Sequence, residues 1–134
     1  MQNKIPRVRH YCWFGEKKLP DDVKKCIQTW KKICPGYEIR RWDESNTPIE
    51  KIPFARDAYE AKAWAFVSDF VRLKVVYEYG GIYFDTDVEL IKDVEWLLKY
   101  SCFLARQQSG EINTGLGFGA QKESSVILKM LQEY

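Results

Sequence analysis

A glycine pair at residues 80 and 81 separates a stretch that must stop being helical from one that can begin a strand. Ahead of it, Arg56 to Tyr79 reads as a long helical segment with a break near Trp64, and Phe66, Phe70, Leu73 and Tyr77 form an apolar stripe at helical spacing. Gly80 is placed to end that helix as a left-handed cap. Behind the pair, the apolar run Ile82-Tyr83-Phe84 leads directly into Asp85-Thr86-Asp87. Alternate side chains of an extended chain share a face, so Asp85 and Asp87 are expected side by side, roughly 7 Å apart along the backbone. Two carboxylates that close repel unless a cation lies between them or one takes up a proton. Mg²⁺ or Mn²⁺ suits this place, because hard cations prefer oxygen ligands. Two carboxylates cannot complete an octahedral shell, so water and phosphate oxygens are the expected remaining ligands. The strand end then reads as a docking point for a diphosphate.

The rest of the chain alternates in the same manner. Val8 to Phe14 reads as a first buried strand closed by Gly15, and Pro20-Asp21-Asp22 opens a helix with acids in its first turn. Val23, Cys26, Ile27, Trp30, Ile33 and Cys34 give that helix its apolar stripe, and Pro35-Gly36 ends it. Tyr37 to Trp42 reads as a second strand and residues 43–54 as a loop. Further strands are expected at 81–84, 87–91, 101–106 and 112–119, with a short helix near 94–99 and a last helix from Glu123 to Tyr134. Strands alternating with helices predict an α/β fold with a mainly parallel sheet flanked by helices. Ligands of such sheets gather at the carboxyl ends of the strands, where Asp85, Asp87 and Trp13 all fall.

The 134 residues suffice for one domain with a real core, and the 15% aromatic content argues against disorder. No apolar run is long enough to cross a bilayer, and no signal core follows the charged N-terminus. Cys12, Cys26, Cys34 and Cys102 form no Cys-x-x-Cys pair, which argues against structural zinc and for reduced thiols in a cytoplasmic protein. Charge is uneven: residues 1–41 hold 11 Lys/Arg and 4 Asp/Glu (+7), and residues 42–134 hold 10 and 15 (−5). The basic part could attract an anionic ligand or membrane headgroups, although Lys24, Lys25, Lys31 and Lys32 also suit a solvated helix face. Aromatic residues are not interleaved with these lysines, so nucleic acid is not an expected partner. Phosphate-loop, serine-hydrolase-elbow and zinc-protease motifs are all missing from the sequence.

Several residues could carry chemistry, each with a plainer alternative. Asp85 and Asp87 could simply end a strand. Asp69 and Arg72 share a helical face and could be an ordinary ion pair; equally, the carboxylate could accept sugar hydroxyls while the guanidinium supplies a planar fork of donors. Trp13 could stack on a nucleobase or fill the core. His10, the single histidine, suits a buried strand position better than a catalytic one.

Taken together, His10-Tyr11-Cys12-Trp13-Phe14-Gly15, Ala65-Phe66-Val67-Ser68-Asp69-Phe70-Val71-Arg72-Leu73 and Tyr77-Glu78-Tyr79-Gly80-Gly81-Ile82-Tyr83-Phe84-Asp85-Thr86-Asp87 closely resemble glycosyltransferase family 32. This DXD-containing group includes capsular polysaccharide enzymes and mannosyltransferases. The resemblance implies a GT-A fold and retaining transfer of a sugar from a UDP- or GDP-sugar to a saccharide or glycolipid acceptor. It implies that Asp85 and Asp87 hold Mn²⁺ or Mg²⁺ against the donor diphosphate. Asp69 and Arg72 would contact donor sugar or ribose, supported by Ser68, and Trp13 would stack on the base beside the Cys12 backbone. Asn113-Thr114-Gly115 falls where related folds place sugar-side or acceptor-side residues. Family members usually continue to a C-terminal His and a Ser-Trp element that complete the metal and phosphate site. Residues 1–134 are accordingly expected to be the N-terminal, donor-binding portion of one catalytic domain, cytoplasmic or at the inner face of a membrane. The alternatives are a non-catalytic nucleotide-sugar-binding fragment and a phosphatase of the haloacid dehalogenase type. The latter pattern wants Thr or Val where Glu89 stands.

Overall fold

The computed structural model describes residues 3–15 and 17–133. Five strands, β1 (Val8–Cys12), β2 (Glu38–Trp42), β3 (Gly81–Tyr83), β4 (Cys102–Leu104) and β5 (Phe118–Ala120), form one sheet in the order β2-β1-β3-β5-β4. β1 pairs in parallel with both β2 and β3, whereas β5 runs antiparallel to β3 and β4. Only β5 therefore opposes the common strand direction, and the expected mainly parallel α/β sheet is present.

Helices cover both faces. α1 (Asp21–Ile33) buries Val23, Ile27 and Trp30 on one side of the sheet, together with Ile82, Phe84, Leu90 and Leu98. On the other side, α2 (Pro53–Glu60), α3 (Trp64–Tyr79) and α4 (Ser125–Leu131) surround a core that includes Val67, Val71, Tyr83, Phe118 and Ile127. The break expected near Trp64 is real and centres on Lys62, whose φ is 58°. α2 begins at Pro53, a residue suited to a first helical turn, so the expected loop is shorter than 43–54 and also contains a 3₁₀ turn at Ile49–Lys51.

The α3 stripe departs from expectation. Leu73 is buried, and Phe70 and Tyr77 are partly buried, but Phe66 is 58% exposed. The buried face is instead built on Val67, Val71, Val75 and Val76, because α3 meets the sheet together with α2 and α4 and is enclosed more broadly than an ordinary surface helix. Gly80 caps α3 with its N–H donating to the Val76 carbonyl, 2.8 Å away. Its φ of 71° is the expected positive value, but ψ is 172°, which extends the chain straight into β3.

Four other expectations need correcting. Residues 87–91 are not a strand: the Trp30 indole donates to the Val88 carbonyl at 2.8 Å, and the Leu90 N–H donates to Thr29 Oγ1 at 2.9 Å. Side chains of α1 thus satisfy backbone groups that a neighbouring strand would otherwise pair. Residues 112–119 shorten to β5 because Asn113 caps a 3₁₀ turn at Thr114–Leu116 through its Oδ1. The last helix is confined to Ser125–Leu131, and Tyr134 lies outside the described residues. The helix expected near 94–99 is 3₁₀, at Glu95–Lys99.

His10 ties the parallel strands together. The Trp42 indole can only donate, so at 3.0 Å it fixes His10 Nδ1 as an acceptor. The proton then lies on Nε2, which donates to the Gly80 carbonyl at 2.8 Å. Burial chiefly lowers the His10 pKa, to about 4, so the folded ring is neutral. Between that value and an unfolded pKa near 6.5 the unfolded chain binds the extra proton, and stability rises with pH. This contribution is complete above about pH 6.5 and fades toward pH 4, a loss of about 3 kcal/mol. Urea titrations at a series of pH values should show that slope, and His10→Gln should flatten it.

Candidate functional site

The carboxyl ends of β1 and β3 open into a cleft of about 320 Å³. Cys12, Trp13, Ser68, Arg72, Asp85 and Thr86 are among the residues that line it. The end of β1 and the residue after it bring Cys12 and Trp13, α3 brings Ser68 and Arg72, and the segment after β3 brings Asp85. Candidates from three separate stretches of the sequence thus share one cavity.

Arg72 is the organising group. Its side chain is only 7% exposed, and its fork is engaged on every edge. Nε donates to the Ser68 carbonyl at 3.1 Å, and Nη1 to Thr114 Oγ1 at 3.2 Å. Nη2 lies 3.1 Å from Asp69 Oδ1 and 3.3 Å from Asp85 Oδ1. The guanidinium also sits over the Tyr83 ring, 4.9 Å from its centroid. The Asp69–Arg72 pair is therefore more than an exposed helical ion pair, since a third element supplies a second carboxylate. Burial works against the charge on Arg72, yet Tyr83, Asp85 and Asp69 outweigh it and raise its pKa.

Asp85 and Asp87 are arranged differently from the pleated pair expected. β3 ends at Tyr83, and the Val88 N–H donates to the Asp85 carbonyl at 3.1 Å, closing a turn over residues 85–88. The two acids belong to this turn, with Asp85 half-buried and Asp87 exposed. Asp85 Oδ1 accepts from the Tyr83 hydroxyl at 2.8 Å as well as facing Arg72. Burial raises the Asp85 pKa; Arg72 and the Tyr83 hydroxyl pull it down, while Asp87 and Asp69 push it up. The upward direction holds despite a direct guanidinium contact, because burial of the carboxylate is the largest influence on it.

The donor set suits a hard divalent cation. Both acids present oxygen, and Asp85 Oδ2 faces Gly115, where an added Cβ would lie 2.4 Å from it. Gly115 thus preserves the space beside the free carboxylate oxygen. Among the described residues no group of three or more His, Cys, Asp or Glu could hold an ion, so Asp85 and Asp87 would need ligands from elsewhere. Gly115→Ala should drive the Asp85 carboxylate off its Tyr83 and Arg72 contacts. Urea unfolding is expected to show a stability loss of about 1–2 kcal/mol. Unchanged stability would show that Asp85 need not hold this position.

Asn113-Thr114-Gly115 does reach the site: Thr114 bonds Arg72, and the Gly115 carbonyl accepts from the Asp85 N–H at 3.3 Å. Trp13 lines the cleft with its indole N–H donating to the Lys17 carbonyl at 2.8 Å. The Cys12 thiol is buried, and burial pushes its pKa up to about 12, so it stays protonated and is no nucleophile. Sequence reasoning missed Tyr83, although its place two residues before Asp85 was a usable signal. It also missed Lys17, which carries no signal beyond being one lysine among many.

A parallel-centred sheet, a DXD turn at a strand end and an adjoining Asp–Arg pair meet at one end of this α/β domain. Residues 20–104 match the family described as a glycosyltransferase sugar-binding region containing a DXD motif, and the chain belongs to that family. It is 31% identical to inositol phosphoceramide mannosyltransferase 3 of Schizosaccharomyces pombe over 123 residues, covering 85% of this chain and 33% of that protein. It is 29% identical to an uncharacterised glycosyltransferase, L373, of Acanthamoeba polyphaga mimivirus, covering 67% of this chain and 38% of the viral protein. The chain thus spans about a third of the length of these curated relatives. Among solved structures, the PaToxG glycosyltransferase superposes with a TM-score of 0.75 at 19% identity, over 96% of this chain and 58% of that one. That likeness establishes the GT-A-like fold.

Proposed function

We propose that this domain binds a nucleoside-diphosphate sugar in a metal-dependent manner and serves its transfer, with retention of configuration, to an acceptor hydroxyl. The observation carrying this reading is the convergence of Arg72 and Asp85 in one cleft beside Trp13, with Asp69 paired to the same guanidinium. The name of the fission-yeast relative, a mannosyltransferase acting on inositol phosphoceramide, supports a hexosyl donor and a lipid-borne or glycan acceptor.

Transfer breaks the bond from the anomeric carbon to the diphosphate oxygen and forms one to the acceptor oxygen, which releases its proton. Negative charge grows on the departing diphosphate. Arg72, held rigid by Ser68, Thr114 and its two carboxylates, offers fixed positive charge that needs no reorganisation as the bond breaks. Asp69 is 40% exposed at its side chain and can accept sugar hydroxyls while Arg72 sets its direction. Trp13 offers a flat face at the nucleoside end. Asp85 and Asp87 would hold Mn²⁺ or Mg²⁺, which when bound supplies Lewis-acid stabilisation of the diphosphate. Radiolabelled UDP- and GDP-hexoses, incubated with glycolipid and oligosaccharide acceptors with and without Mn²⁺, test the reading. Label transferred only with the metal supports it. Transfer that is indifferent to chelation would contradict the metal assignment.

A further inference from the structure

We infer that the outer face of α1 and the loop before it form an electrostatic docking surface for an anionic lipid bilayer. Lys17 and Lys18 precede α1, and Lys24, Lys25, Lys31 and Lys32 lie on it; all six are exposed. At about 100° per residue the four helical lysines fall within an arc of roughly 120°, opposite the buried Val23, Ile27 and Trp30. Among the described residues no ion pair involves any of the six. The contrast is with Lys74 on α3, which pairs with Glu78 one turn away. Asp21 is the one acid of α1 on the lysine arc.

The surface is continuous with the cleft. A groove of about 430 Å³ along α1 shares Lys24 with a recess of about 590 Å³, which Lys17, Lys18 and Arg41 also line. Lys17 in turn lines the donor cleft. The acids in that recess are already engaged: Asp43 accepts from Ser45 and pairs with Arg41, and Glu44 accepts from the Gly15 N–H and the Tyr59 hydroxyl. A track of net positive charge therefore runs from the helix face to the rim of the cleft.

The chemistry favours a membrane surface over other polyanions. Lysine is a hydrated point charge on a flexible stem, suited to a diffuse sheet of headgroups, whereas bidentate phosphate recognition favours arginine. The four helical lysines lie on an outward face of α1 without interleaved aromatic side chains, so no stacking platform for nucleobases accompanies them on the helix. Among the described residues no exposed large hydrophobic side chain lies on that face to insert into lipid, so the attachment is electrostatic and reversible. Docking in this orientation would hold the cleft rim at the headgroup layer.

The test is flotation of the 134-residue chain with phosphatidylcholine vesicles, with and without about 30% phosphatidylserine, at about 50 mM and about 500 mM salt. Wild-type protein should bind the anionic vesicles at low salt, release at high salt and ignore the neutral ones. Each lysine removed should weaken partitioning about fivefold. The variant Lys24→Gln/Lys25→Gln/Lys31→Gln/Lys32→Gln should then bind more than about a hundredfold less. Its circular dichroism and donor titration should remain as in wild type, which separates failure of docking from failure of the donor site. Equal binding of neutral and anionic vesicles, no binding of either, an unaffected variant, or stronger capture by a soluble RNA oligonucleotide would each overturn the inference.

Discussion

Arg72→Met is expected to lower transfer by about 10²–10³-fold, because it deletes the fixed positive charge that the proposed mechanism sets against the departing diphosphate. It should also reduce stability by about 2–4 kcal/mol, since Tyr83 and Thr114 lose a partner and Asp69 and Asp85 lose their shared cation. Arg72→Lys separates the two effects. Lysine retains a charge but cannot serve Ser68, Thr114 and both carboxylates together, so stability should recover in part while transfer remains low. Steady-state kinetics and urea unfolding of both variants check this. Transfer within a few-fold of wild type in Arg72→Met would remove Arg72 from the chemistry and leave it a structural residue.

The second large effect concerns the two acids of the 85–88 turn. Asp87 is exposed, so Asp87→Asn should change folding stability by no more than about 0.5 kcal/mol. Its Mn²⁺-dependent donor affinity should nevertheless fall at least about a hundredfold, because a neutral amide is a poor ligand for a hard cation. Asp85→Asn should lose as much affinity and also disturb Tyr83 and Arg72, which its carboxylate now joins. The pair thus predicts equal losses in binding with unequal losses in stability. Undiminished metal-dependent affinity in both variants would sink the metal assignment.

Much of the architecture was legible because local rules and tertiary packing agree. Pro20, the acids after it and Pro35-Gly36 delimit α1 closely, and Gly80 marks the end of α3. The errors fall where backbone groups found partners outside the sheet. Residues 87–91 were expected as a strand, but Thr29 and Trp30, some sixty residues earlier, claimed their hydrogen bonds. Phe66 fitted a helical stripe by spacing, yet α2 and α4 turned the enclosed side of α3 toward its valines.

The candidate site was legible as a set of residues and illegible as a geometry. Asp69 and Arg72 were adjacent by helical spacing alone. Their coupling to Asp85 required the sheet, and their coupling to Thr114 required the return of the chain after β4. Asp85 and Asp87 are neighbours through a turn instead of a pleat, which leaves one acid embedded against Arg72 and the other facing solvent. Gly115 was singled out only within Asn113-Thr114-Gly115 by the family resemblance, because its role is the space it leaves beside a carboxylate from a different segment.

The central claim is that this cleft is a metal-dependent nucleotide-sugar site. Calorimetric titration of the 134-residue chain with UDP, GDP and their common sugar conjugates, with Mn²⁺ and with chelator, tests it most directly. The account predicts binding that requires the metal and prefers one base. Absence of binding to every nucleotide by a demonstrably folded sample, or affinity unchanged by chelation, would contradict it.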